Sequence, residues 1–168
     1  MLKESTRIEL KKSLATFDEI MESICAFANT EGGKIYVGVE DDGKPVGISL
    51  GKNTVVNLAN DIARNITPQI YPTINEVLIE DKQVILIEVG KSEHSPHFYK
   101  GRGFKRVGKM NKIIDPLNLE LMFKEKFLEK TTIDREVTNA TEEDLDSESI
   151  RKFTKLTGRE YASTSHSL

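Results

Sequence analysis

Ile24-Cys25-Ala26-Phe27-Ala28-Asn29-Thr30-Glu31-Gly32-Gly33-Lys34-Ile35-Tyr36-Val37-Gly38-Val39-Glu40-Asp41-Asp42-Gly43 is the stretch that decides the fold. Its first residues close a helix expected over 15–30, in which Ile20, Met21, Ile24, Cys25 and Ala28 fall on one 3.6-residue face. Thr16 and Glu19 have capping-box spacing at its start. Gly32-Gly33 stops it, because glycine takes the left-handed conformation that a helix C-terminus favours. Residues 34–39, rich in β-branched and aromatic side chains, then read as a strand closed by the Asp41-Asp42-Gly43 turn.

Working outward, residues 45–48 read as a short returning strand, and residues 54–66 as a second helix with Val55, Leu58, Ala59, Ile62 and Ile66 on one face. Pro68 and Pro72 prevent its continuation. Residues 75–79 and 83–89 are apolar strands joined through Glu80-Asp81-Lys82, the pattern of a hairpin. An extended segment over 97–100, a turn at Gly101-Arg102-Gly103 and a strand over 104–107 follow. Asp115-Pro116 places an N-cap before proline at the first helical position and opens a helix to residue 129. Residues 1–130 thus read as one domain. Residues 131–140 read as a linker, 141–157 as a helix with Ile150, Phe153 and Leu156 in register, and 162–168 as a Ser/Thr-rich disordered tail.

The 168 residues suffice for one domain with a hydrophobic core, plus an appendage. No apolar run approaches the roughly 20 residues of a membrane span, and the polar start Met1-Leu2-Lys3-Glu4 is unlike a signal peptide. One cysteine, Cys25, excludes an internal disulfide framework and a cysteine-based zinc site. A soluble, cytoplasmic protein is the expectation. The net charge of −3 conceals a split: residues 1–130 hold 19 basic and 19 acidic side chains, so residues 131–168 carry the whole excess. Within the neutral part, Lys100, Arg102, Lys105, Arg106, Lys109 and Lys112 place six positive charges in thirteen residues with no acid among them. Lysine and arginine release counterions when they neutralise phosphates, so such a stripe points to nucleic acid. Tyr99 and Phe104, interleaved with it, could stack on unpaired bases or be buried in the sheet. No recognition helix is evident, which favours backbone contacts over base reading.

Three blocks together resemble one family: Glu4-Ser5-Thr6-Arg7-Ile8-Glu9-Leu10-Lys11; the stretch 24–43 continued through Val46-Gly47; and Pro96-His97-Phe98-Tyr99-Lys100 with Arg102 to Asn111. They look like the Schlafen/AlbA-type domain of RecG-like bacterial and archaeal transcriptional regulators and of animal Schlafens, a family regarded as DNA-binding. The resemblance covers residues 1–125 and implies an α/β (α+β) fold, a mixed β-sheet flanked by helices. It also implies the DNA-binding module of a longer transcriptional regulator, with DNA or RNA as partner and a homodimer as a reasonable state; no cofactor is expected, and the lack of an apolar span argues against a membrane partner. In Schlafen nucleases a glutamate pair five residues apart and an aspartate after the first strand form a metal-dependent site. Glu4, Glu9 and Asp41 match those positions, so the alternative reading is an endoribonuclease using Mg²⁺ or Mn²⁺ on structured RNA. Leu10 stands where the family usually has Phe. A third reading is an oligomerisation module.

Other motifs carry less. Gly47-Ile48-Ser49-Leu50-Gly51-Lys52-Asn53 has three residues between its glycines where a phosphate loop needs four, and Asn53 where Mg²⁺ needs a hydroxyl. Gly32-Gly33 lies at a helix C-terminus, the wrong dipole end for an anion. His94 and His97 flank Ser95-Pro96 without a third ligand and read as loop residues; Cys25 reads as core.

Overall fold

The computed structural model describes residues 2–132, with side chains through Leu128. Residues 1–126 form one compact unit. Of the linker expected over 131–140 the first two residues fall in the last helix; the rest of it, with the helix expected over 141–157 and the tail, lies outside the described residues. Among the described residues, eleven main elements run in the order β1 (Ile8–Lys11), α1 (Phe17–Ala28), β2 (Gly33–Val37), α2 (Thr54–Asn65), β3 (Ile66–Thr67), β4 (Thr73–Ile79), β5 (Lys82–Val89), β6 (Phe98–Tyr99), β7 (Arg102–Val107), β8 (Met110–Ile113) and α3 (Pro116–Thr132). The α+β class stands, but the strands form two sheets. One is mixed, in the order β1-β2-β5-β4, with β1 parallel to β2; the other is antiparallel, in the order β3-β6-β7-β8.

The two sheets explain the burial of α1. It packs on β2 and β5 of the mixed sheet and on β6, β7 and β8 of the other. Ser23, Ala26 and Phe27 are therefore buried along with the predicted apolar face. The core around it combines Ile35, Val37, Ile85 and Ile87 with Leu58, Ile62 and Ile66 and with Tyr99 and Phe104. A smaller apolar cluster of Leu10, Val39 and Val84 covers the far face of the mixed sheet.

Several boundaries move for local reasons. The predicted capping box does not form, because Glu19 Oε2 accepts from Lys11 Nζ at 2.8 Å. Ser13 instead accepts from the Ala15 amide and starts a 3-10 turn, Leu14–Thr16, ahead of α1. Of the expected strand over 45–48 only a single bridge between Val39 and Pro45 remains. Strands β1 and β8 were not foreseen. The β4–β5 hairpin turns at Glu80 and Asp81, both with positive φ, as a type I′ turn requires. Asp115 caps α3 as expected, its Oδ1 accepting from the Asn118 amide. α3 extends to Thr132, beyond the predicted end.

The glycine pair after α1 has a steric reason. Gly32 sits at φ +73°, and a Cβ there would lie 2.6 Å from the Val89 carbonyl oxygen. A Cβ on Gly33 would meet the Phe27 ring at 2.6 Å. His97 is a loop residue, as expected, but a buried one. Its Nδ1 lies 2.8 Å from the Pro68 carbonyl, so Nδ1 carries the proton and Nε2 accepts from Ser92 Oγ at 2.6 Å. Its backbone is held from both sides by Asn29, whose Oδ1 accepts from the His97 amide and whose Nδ2 donates to the His97 carbonyl. Cys25 is core, and burial pushes its thiol up to about 11.

Two outcomes follow from this packing. Gly32→Ala combines a left-handed backbone with a clash against a strand carbonyl, and urea unfolding should show a loss of about 2–4 kcal/mol. Burial, reinforced by the nearby His94, holds the His97 imidazole below its ordinary range, against the opposing Pro68 hydrogen bond. The neutral ring is the folded form, so its stability contribution is complete above the unfolded histidine pKa near 6.5 and is lost as pH falls through the folded value. Urea midpoints taken between pH 7.5 and 5 should fall with a slope from this group of at most about 1.4 kcal/mol per pH unit. His97→Gln should flatten that slope while lowering stability at pH 7.5.

Candidate nucleic-acid interface

β7 and β8 make a tight hairpin, with Gly108 at φ +60° as the first residue of a two-residue turn. Side chains alternate along β7: Phe104 and Arg106 face α1 and are buried, whereas Lys105 and Val107 face outward. The register sets Lys105 directly opposite Lys112, and Val107 opposite Met110. Like charges in directly opposed positions are unfavourable in a sheet, so this pair does nothing for the fold. Lys109 extends the charge to the turn and Arg102 to the base of the hairpin, both exposed. Among the described residues, Arg102, Lys105, Lys109 and Lys112 have no carboxylate within 4 Å. Glu22 and Asp115 feel Arg102 and Lys105 only at longer range.

The other two cations of the stripe are differently placed. Lys100 takes φ +48° in the two-residue turn between β6 and β7. Its Nζ lies 2.7 Å from Asp18 Oδ2, while Tyr99 donates to Asp18 Oδ1 at 2.6 Å. Those hydrogen bonds, Lys100 first and Tyr99 second, hold the Asp18 carboxyl below the usual carboxylate range. Both charges are solvent-exposed, so the pair is weak and an incoming phosphate can compete for Lys100. Arg106 is a correction to the solvated stripe. It is 7% exposed, and its guanidinium donates to Asn111 Oδ1 at 2.8 Å and to the carbonyls of Ser5 and Ile8 at 3.0 and 3.3 Å. It also lies 2.6 Å from Glu9 Oε2 and stacks over the Phe27 ring. Its position two residues after Phe104 on one strand was the available signal that it points inward.

Tyr99 and Phe104 are 2% and 5% exposed, which places both in the core and removes them as stacking platforms. The three acids of the alternative reading do not gather. Asp41 is exposed in the turn beyond β2, Glu4 is half-buried before β1, and Glu9 is buried. Among the described residues no group of three acidic, histidine or cysteine side chains is close enough to hold a metal ion. Glu9 instead pairs with Lys11 Nζ at 2.9 Å as well as with Arg106. Burial works against the charged Lys11, but hydrogen bonds to Glu19 and Glu9 raise it above the ordinary lysine value. The decoy phosphate loop spends its amides internally: Gly47 donates to Gly38, Ile48 to Gln83 and Gly51 to Thr54 Oγ1. A groove of about 570 Å³ beside Gly32 and Gly90 is lined by Arg7, Glu31, Lys34 and Glu88. Its charges neutralise one another, Lys34 with Glu88 at 2.6 Å and Arg7 with Glu31 at 3.6 Å, so it has no bias toward an anion.

The family model described as Schlafen, AlbA_2 matches residues 4–115, the span from before β1 to the N-cap of α3. Two solved structures share the fold. The N-terminal domain of a RecG-related protein from Nitrosomonas europaea is 26% identical, with a TM-score of 0.53 over 68% of this chain and 82% of its own. The DIP2311 protein from Corynebacterium diphtheriae is 21% identical, with a TM-score of 0.55 over 66% of this chain. The chain spans only 22% of that protein's length.

Proposed function

The chain belongs to the Schlafen AlbA_2 family, and from that premise we propose that it is a DNA-binding module that grips phosphates with the outer face of the β7–β8 hairpin. The observation that carries the reading is the opposed pair Lys105 and Lys112, uncompensated by any carboxylate within 4 Å among the described residues. Lys109 continues the cationic face at the turn, whereas Arg102, set by strand alternation on the opposite side of β7 from Lys105, adds charge at the base of the hairpin, where Lys100 joins it once Asp18 yields. Lysine ammonium groups are point charges that attract phosphate without reading a base edge, so affinity is largely sequence-independent. A two-stranded ribbon is also narrow enough to enter the major groove of B-DNA. With Tyr99 and Phe104 buried, the hairpin offers no base-stacking platform of its own, which favours duplex over single strands. This mode of binding requires no cofactor. The likeness to a domain of a RecG-related protein supports DNA as the target.

In this reading the module serves a cytoplasmic transcriptional regulator and works as a homodimer, whose two hairpins engage one duplex and multiply affinity. Exposed Leu117 and Leu121 on α3 support self-association. Light scattering on the full chain should give a two-copy mass; a monomer would retire the dimer without touching the hairpin.

Titration against labelled duplex across a range of salt concentrations tests the main claim. Three or four phosphate contacts predict a slope of log affinity on log salt of about −3. Replacing Lys105, Lys109 and Lys112 together by alanine should remove most of that slope, each lysine accounting for about 1. An unchanged slope in the triple variant would show the hairpin to be only a solvated face.

A further inference from the structure

Glu9 occupies the position at which the family resemblance expects a metal-binding carboxylate, and the residues around it do not fit a metal. A divalent cation needs carboxylate oxygens with free lone pairs and negative neighbours. Glu9 has two cations instead, Lys11 Nζ at 2.9 Å and Arg106 Nη2 at 2.6 Å. The β1–β2 register puts Glu9 and Lys11 on the same inward face as Ile35 and Val37. The Glu9 and Arg106 side chains are only 7% and 2% exposed. A metal seated on Glu9 would take over the guanidinium's counter-ion and leave a buried, unpaired arginine, among the costliest states a protein interior offers.

We propose that Glu9 is the buried counter-ion that seats Arg106, and through it the β7–β8 hairpin, against the free edge of the mixed sheet. β1 is that edge strand. Its Ile8 carbonyl, turned away from β2, and the preceding Ser5 carbonyl both accept from Arg106 Nη2. Arg106 Nη1 reaches across the hairpin to Asn111 Oδ1, and Asn111 Nδ2 donates to Ser23 Oγ on α1. One guanidinium thereby joins the edge of one sheet, both strands of the hairpin and the central helix. The neutralising charge has to come from a side chain on β1, because the carbonyls and the amide supply only dipoles. Among the described residues, Glu9 is the one carboxylate in contact with it. Glu9 Oε2 and Arg106 Nε make no aligned hydrogen bond, so the pair acts mainly through charge. Glu9 and Arg106 are positioning residues: they hold Lys105, Lys109 and Lys112 in one cationic face without touching DNA themselves. That consequence for binding rests on the hairpin reading above; the seating of the hairpin does not.

Hydrogen exchange on the full chain reads the seating directly. In Glu9→Gln the amides of residues 103–113 should lose about a hundredfold in protection, whereas those of β4 and β5 change little. Arg106→Met should do the same. The double variant should lose at least tenfold less than the product of the two single losses, because the singles each strand one buried charge. If Glu9→Gln does not fold, wild-type protein still decides the matter through Mn²⁺, added to the isotope-labelled chain. No selective broadening of residues 8–11 supports the counter-ion role. Broadening centred on Glu9 and Asp41, or hairpin protection unchanged in both single variants, overturns it. Duplex affinity is measured in parallel: lost protection with unchanged affinity would fail the hairpin reading of binding while leaving the seating intact.

Discussion

Eight of the twelve residues of α1 are buried, and its solvent-facing strip is confined to Asp18, Glu19 and the half-buried Glu22, so the rest of the helix requires cover on two sides. That constraint sets the architecture. A single sheet covers one face of a helix, and the second sheet, built from β3, β6, β7 and β8, supplies the other. The turn out of α1 must then bring the chain into β2 within a few residues. Gly32 and Gly33 permit this because any Cβ would strike a strand carbonyl or the Phe27 ring.

Sandwiching a helix between sheets leaves polar backbone in the interior, and the molecule satisfies it with a few side chains. Asn29 holds the His97 amide and carbonyl and also donates to the Phe104 carbonyl, which ties the end of α1 to β6 and β7. Thr30 Oγ1 accepts from the Arg106 amide. The Arg106 side chain then closes the opposite side onto β1. These contacts need the whole fold in place, since their partners lie between 68 and 101 residues apart in sequence. Buried polar groups of this kind cost little when every member is paired and a great deal when one is missing.

The same alternation that buries Arg106 exposes its neighbours. Along β7 a run of cations is sorted by strand period: one charge goes inward to a carboxylate, and the next goes outward to face Lys112 without one. The asymmetry between a neutralised interior and an uncompensated outer face is what gives the hairpin an appetite for anions. The groove beside Gly32 has similar numbers of charges and none of that appetite, because its acids and bases are paired. Local pairing, rather than composition, separates the two surfaces.

Much of the fold was legible in the sequence. The 3.6-residue pattern of α1 and α2, the glycine pair, the β4–β5 hairpin and the Asp115 cap are local signals, each set by neighbours within one or two turns. β1 and β8 were not legible: four-residue strands carrying Glu9, Lys11 and Lys112 resemble polar loops until a partner strand supplies their hydrogen bonds. The capping box failed for a related reason, since Glu19 found Lys11 from a different element. For the site, composition alone shows how many cations lie between residues 100 and 112 and that no acid sits among them. Which of them face solvent without a carboxylate partner depends on the folded arrangement. Burial and ion pairing depend on what the far end of the chain brings alongside, and a guanidinium meets Glu9 only after two sheets have closed over one helix.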